Sequence, residues 1–487
     1  MKRLSFLFCF NILFIFSQCK LTLNNPSDPF TESFAFANLI RSLLSSGTNN
    51  NVCESTEFSY LFPSDSSGIP PKVYQASDQS YYVLFVTSSP FAKAKNSFIG
   101  VSGSTFNSVL IHLDKNGNLL WSYHLADLMT NDFKSIGNIQ EFNGEITVGM
   151  FAKTQIGTPK QSLYSNYNNA GVYRFSPNGD LLWNTYFGNP SDNTDMTDLK
   201  ISKDGNIFLS LVSLSLPANI GNSVTTPAST SDADGYLVKL SPAGDPQWYS
   251  VQGGTGAQRN NELFLLDDGR IVVTGQSFEA LDYVYNNPII DHPGNSERIN
   301  YLVTFLPNGS YERHTFIPAT TSDFFSSITA ITSSQIYVQM TATTNGVTPV
   351  INPYIGGRDI LISKFDLSLN RVWATYIGTT QTEESVGGIQ ALSDHSLFAM
   401  NSFISDPGYA SDFPGANADT LFQFRSDGSI QTAKYWPLNS SIEQTLGSMI
   451  ACDGGILRSA ISIQQSPTII QLRLDKKPRS FFPLPYP

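Results

Sequence analysis

The chain has 487 residues, 41% of them apolar and only 14% charged, and its 35 Gly and 27 Pro are scattered as punctuation. A net charge of −11 argues against nucleic acid as a partner, because phosphate contacts need a basic surface. Length alone allows about three domains, a prior that internal repeats override.

The chain begins with a basic pair, Lys2 and Arg3, followed by an apolar run over residues 4–16 that only Ser5 and Asn11 interrupt. The run is too short to span a bilayer, which takes about 20 residues, and it fits a secretory signal over residues 1–18. Phe16-Ser17-Gln18-Cys19 closes it. A Cys directly after such a run resembles a bacterial lipobox, similar to the relaxed boxes of spirochaetal lipoproteins. That resemblance implies cleavage before Cys19 and lipidation of its thiol, with ordinary secretion and an incidental Cys19 as the alternative. Residues 19–71 then read as a tether. Asp28 can cap a helix, Pro29 suits its first turn, and Phe30, Phe34, Ala37, Ile40 and Leu44 recur at helical spacing before Gly47. Residues 57–62 read as a lone strand.

From residue 72 the chain repeats itself. A first half, strand–tight turn–strand, occurs at 73–89, 139–152, 199–213, 263–277, 328–342, 389–403 and 449–462. A second half of the same kind occurs at 109–125, 171–187, 235–251, 300–316, 359–377, 419–436 and, degraded, 468–485. The turn residues Gly117, Gly179, Gly244 and Gly309 fall 62, 65 and 65 residues apart. Trp121, Trp183 and Trp248 each sit four residues after their turn Gly, Trp373 occupies the same slot, and Trp436 is slightly displaced from it. All five Trp residues therefore belong to the repeat and read as packing residues. Seven four-stranded units at a period of about 60 predict an all-β, seven-bladed β-propeller of antiparallel blades over residues 72–487, preceded by the short helix and tether.

The stretches LSPAGDPQWYSVQGG (240–254) and ISKDGNIFLS (201–210) make the pattern resemble the seven-bladed SBBP repeat family. That resemblance implies a bacterial, often exported propeller with no shared catalytic residues. In an up-and-down blade with strands a to d, the tight a–b and c–d turns share one face. The long b–c loops (88–107, 154–170, 214–234, 278–299, 343–358 and 404–418) are expected to crowd the other face as a recognition surface.

Signatures of catalysis are missing. No G-x-S-x-G, P-loop or H-E-x-x-H occurs, and the five His residues (112, 124, 292, 314 and 395) lack ligand spacing. Asp232-Ala233-Asp234-Gly235 lacks the further ligands of a calcium loop, and Asp192, Asp195 and Asp198 form a weaker cluster still. No catalytic residue, metal or cofactor is assigned. Cys53 precedes the first blade and Cys452 belongs to the last, so ring closure makes them a candidate disulfide spanning about 400 residues. The alternative is a buried thiol at Cys452 and a free one at Cys53. The sequence thus favours an exported, lipid-anchored monomer on the bacterial envelope, at the outer membrane or cell surface, that binds an unidentified protein or glycan. An envelope-assembly scaffold resembling the quinoprotein-like assembly lipoproteins, and a glycan-acting propeller enzyme, are the alternatives.

Overall fold

The computed structural model describes residues 53, 56–62, 71–100, 106–128, 137–164, 167–225, 233–253, 256–277, 288–290, 298–320, 328–332, 334–379, 388–392, 396–403, 408–411, 418–437, 443–453, 455–465 and 468–482. The signal-like residues 1–18, Cys19 and the helix expected from Asp28 lie outside them.

Seven antiparallel sheets follow one another along the chain as the blades of a β-propeller. Blades 1 to 6 span residues 72–128, 138–187, 194–252, 258–320, 328–377 and 389–437, each running a to d from the inside outwards. The b and c strands are buried on both faces, as Tyr81–Thr87 and Ile207–Ser213 show, because each sheet has a neighbour on either side. The d strands Leu181–Phe187 and Pro246–Gln252 are buried only in their second halves, which explains why the repeat's second half alternates less cleanly.

The seventh blade differs from expectation. Among the described residues 468–482 there is one strand, not two. Thr468–Lys477 is a single c strand, followed by a 3-10 turn at Arg479–Phe481. The fourth strand is Phe58–Leu61, expected to stand alone, which pairs antiparallel with Thr468–Lys477 in the register Phe58↔Lys476 to Leu61↔Arg473. Chain closure therefore joins the two ends of the propeller within one sheet. It leaves few exposed edges, the general advantage of a closed ring.

The repeat Trp residues bind blade to blade. In four joints the d-strand Trp lies over the c–d turn of the following blade, at the turn Gly. A Cβ on Gly179, Gly244, Gly309 or Gly428 would come within 2.7 Å of Trp121, Trp183, Trp248 or Trp373 respectively. These glycines also hold φ of +86, +87, +86 and +85°, so both the turn and the close approach require Gly. Trp121 and Trp373 further donate their indole N–H to the turn carbonyls of Pro177 (3.1 Å) and Ser426 (3.0 Å).

Joints without a Trp solve the same problem with other residues. Between blades 4 and 5 the Trp slot holds Arg313, and the facing turn carries Leu369 at φ +63° in place of Gly. The Leu369 side chain is fully buried with Leu266 and Ile336, filling from the turn the volume an indole fills from the strand. Arg270 donates to the turn carbonyl of Leu367 (3.3 Å), replacing the indole N–H. At the ring seam, Phe58 lies 2.8 Å from a Cβ built on Gly117, and the Thr56 hydroxyl reaches the Lys115 carbonyl (3.3 Å). Phe58 thus occupies the Trp slot of the seventh blade. Its cross-strand partner confirms this: Trp121, Trp183, Trp248 and Trp373 face His112, Arg174, Lys239 and Lys364, and Phe58 faces Lys476. Between blades 6 and 7, Trp436 packs edge-on against Phe481, and Lys434 donates to the Phe481 carbonyl (2.7 Å).

Candidate functional site

The long b–c loops do less free crowding than their length suggests. In five blades the loop folds back and runs parallel to the d strand of its own blade. Lys95 N donates to Ser122 O, Lys160 N to Asn184 O, Val224 N to Tyr249 O, Ile289 N to His314 O and Ile351 N to Ala374 O, at 2.8–3.0 Å. Each acceptor lies one residue after the Trp slot. Two residues further on, Tyr186, Phe316 and Tyr376 return a bond to Gln161, Ile290 and Asn352. In blade 3 the loop thereby adds a short parallel fifth strand, Asn222–Ser223, to the outer edge, and in the other four blades the same backbone bonds satisfy d-strand groups that would otherwise template aggregation. The described parts of these loops line the outer edges of their blades.

A buried Asp or Asn at the start of strand c anchors the far end of the loop. Asn107 accepts from Ile99 N (2.9 Å), Asn169 from Tyr164 N (3.0 Å) and Asp359 from Ile355 N (2.7 Å). The Gly that ends the repeat, five residues after the Trp, leaves room for this side chain. A Cβ on Gly188, Gly253 or Gly378 would overlap Asn169, Asp234 or Asp359. Burial pushes the Asp359 carboxyl up from its ordinary value, against the opposing effect of backbone N–H bonds from Ile355 and Gly356. The loops also expose Leu214 (45%), Ile351 (41%) and Ile355 (51%).

The candidate chemical groups are dispersed. His112 Nε2 shares a hydrogen with Ser80 Oγ (2.8 Å) and its ring stacks on Tyr82. His124 Nε2 accepts from Phe91 N (3.2 Å), and His314 Nδ1 meets the Tyr311 hydroxyl (2.8 Å). Burial lowers the pKa of both His112 and His124. His292 and His395 lie outside the described residues, as does Asp232. Asp192 pairs with Ser215 and Asp195 with Asn168. Asp198 binds Lys200, Asn138 and the amide of Leu263 in the next blade. Among the described residues no three His, Cys, Asp or Glu side chains come together as metal ligands. Cys452 lies in the turn after strand Glu443–Ile450 rather than on it, with its amide donating to Gln75 Oε1 of the first blade (2.8 Å).

No protein-family model matches the chain, and no curated protein matches it in sequence. Some solved structures resemble it at low identity. NanB sialidase from Streptococcus pneumoniae superposes with a TM-score of 0.41 at 10% identity, over 89% of this chain and 72% of that one. Lignostilbene dioxygenase from Pseudomonas brassicacearum gives 0.39 and 11%, over 86% and 92%. A protein of unknown function from Dyadobacter fermentans gives 0.36 and 12%, over 69% and 92%. No activity passes from them to this chain.

Sequence reasoning located the Trp packing residues and the turn glycines. It missed Phe58, Leu369 and Arg270, which replace them, and the Asp/Asn–Gly pairs. The one available signal for Phe58 was a count: the degraded last repeat holds only one good strand after residue 468, and the alternating FSYLF at 58–62 has no other blade to join.

Proposed function

We propose that the protein is an exported, lipid-anchored SBBP-type propeller that acts as a binding or scaffold module and presents its loop-decorated perimeter to a protein or glycan. The observation that carries this reading is the use of the repeat's signature residues. Trp, turn Gly, strand-c Asp or Asn and terminal Gly are each occupied in holding blades and loops, so the repeat is a scaffold and the variable loop residues are its display. Cys19 after the apolar run supports the anchor. A Cys53–Cys452 bond is part of the proposal: Thr56 N, three residues after Cys53, donates to Asp453 beside Cys452 (3.3 Å), a separation the chain easily spans.

The test has three arms. Cells given labelled palmitate should label the wild-type protein and not Cys19→Ser. A non-reducing peptide map should contain the Cys53–Cys452 peptide pair. Binding to a glycan and host-protein array should fall when the exposed loop residues Leu214, Ile351 and Ile355 are replaced by Ser. Binding that survives these replacements would sink the perimeter reading, and an unlabelled wild type would sink the anchor.

A further inference from the structure

The innermost strands of blades 2 and 3 meet through three polar side chains. Asn138 opens the a strand Asn138–Phe142 of blade 2, and Asp198 and Lys200 lie on the a strand Thr194–Ile201 of blade 3. Asp198 Oδ1 accepts from both the Asn138 carboxamide and the Lys200 ammonium (3.1 Å), and Oδ2 accepts from Lys200 again (3.0 Å). The backbone amides of Leu199 (2.7 Å) and of Leu263 in blade 4 (2.9 Å) hold the carboxylate in place. Asp198 is buried, and Lys200 is half-buried with its Nζ 5.1 Å from the centre of the Phe264 ring.

The other lysine–carboxylate pairs among the described residues differ. In Lys160–Asp245, Lys203–Asp267 and Lys477–Glu57 the carboxylate is more than half exposed. Lys476–Asp453 is buried, but the remaining partners of that pair are Thr56 and the amide of Gly455, with no carboxamide. Only Asp198 joins an amine to a carboxamide through one oxygen. These are the parts of an amide-forming reaction: a nucleophile, an electrophilic carbonyl, and a carboxyl group placed to carry protons between the two nitrogens. The carbonyl is polarised as well. Ile139 N donates to Asn138 Oδ1 (2.8 Å), where negative charge develops when the carbon is attacked.

We infer that Lys200 and Asn138 become joined by an intramolecular isopeptide bond, with Asp198 as the proton carrier. Asp198 takes one proton from the Lys200 ammonium, which leaves two neutral groups in a site largely shielded from water. The free amine attacks Asn138 Cγ, and the carbonyl π electrons move to Oδ1. Attack needs an approach of about 3–3.5 Å, which the flexible four-carbon stem of Lys200 permits. The Nζ–Cγ bond forms and the Cγ–Nδ2 bond breaks as Asp198 passes its proton to the departing Nδ2. Nζ sheds a second proton through Asp198, and the leaving group departs as ammonium. Asp198 ends as the carboxylate it began as, and no co-reactant is consumed. The bond staples the innermost strands of two neighbouring blades and stands independently of the perimeter reading.

A tryptic map of the purified full chain is the test. Residues 135–153, which contain Asn138, should run joined to residues 175–203, uncut at Lys200, at a mass one ammonia below the sum of the two peptides. Lys200→Arg retains the charge beside Asp198 but supplies no attacking amine, so the joined peptide should disappear from a folded protein. Asp198→Asn keeps both reacting groups and removes the proton carrier. The joined peptide should disappear there too, with circular dichroism checking the fold of each variant. The wild-type map decides the inference by itself. Separate peptides with Lys200 cleaved throughout would overturn it, and a joined peptide that persists in folded Asp198→Asn would overturn the role given to Asp198.

Discussion

The joint between blades 5 and 6 and the joint between blades 4 and 5 perform one task in two ways. In the first, Trp373 supplies both bulk and a donor, and Gly428 supplies a turn with no side chain to obstruct it. In the second, the turn supplies the bulk through Leu369 and a neighbouring strand supplies the donor through Arg270. What these joints share is a filled volume at the turn, not a particular residue. The ring seam achieves it a third way, with Phe58 and Thr56.

The comparison can be broken most severely at the indole. Trp373→Ala removes a buried side chain (7% exposed) and a hydrogen bond, and should cost about 3–5 kcal/mol in a denaturant titration. A loss below about 1 kcal/mol would show that the joint closes without it. Phe58→Ala tests the seam. Phe58 is only half-buried, so the expected cost is smaller, about 2–3 kcal/mol, the low side of a Phe truncation. Hydrogen exchange should then rise first in Phe58–Leu61 and in its partner strand, whereas uniform exchange across the blades would refute a seam role. Phe58→Trp should restore or exceed wild-type stability if the slot is equivalent.

Leu369→Gly separates volume from backbone conformation. It relieves a left-handed Leu, a strain of about 1–2 kcal/mol, but empties a buried site whose loss costs about 2–5 kcal/mol. The net effect should be destabilising by about 1–3 kcal/mol. A stabilised variant would mean that the Leu side chain does not fill the joint.

The smallest effects are electrostatic. Asp359 has a raised pKa in the folded state, so the fold favours its protonated form, and its contribution declines as pH rises from about 3.8 through the raised value. Asp359→Asn keeps the acceptor that Asn107 and Asn169 already provide in blades 1 and 2. The variant should equal or exceed the wild type at pH 7, with the difference shrinking on acidification through that window. His112 and His124 act with the opposite sign. Their folded pKa values lie below 6.5, so stability is present above pH 6.5 and is lost as pH falls through their lowered values. The double variant His112→Gln/His124→Gln should flatten that acid-side slope, and an unchanged slope would remove both from the account.

The sequence by itself determined how many blades there are, where their tight turns fall and which Trp residues pack between them. Those features are local: a two-residue strand period, turn glycines and a slot four residues on can be read within one repeat. Tertiary structure alone decided how the ring closes, because the pairing of Phe58 with Lys476 joins residues at opposite ends of the chain and leaves no periodic mark. It also decided what the long loops do. Their composition marks them as exposed, but their register against the d strands rests on backbone bonds that any side chain permits. The replacement of Trp and Gly by Arg270 and Leu369 is legible only once the two blades face each other, since a filled volume is a property of the joint and not of either repeat.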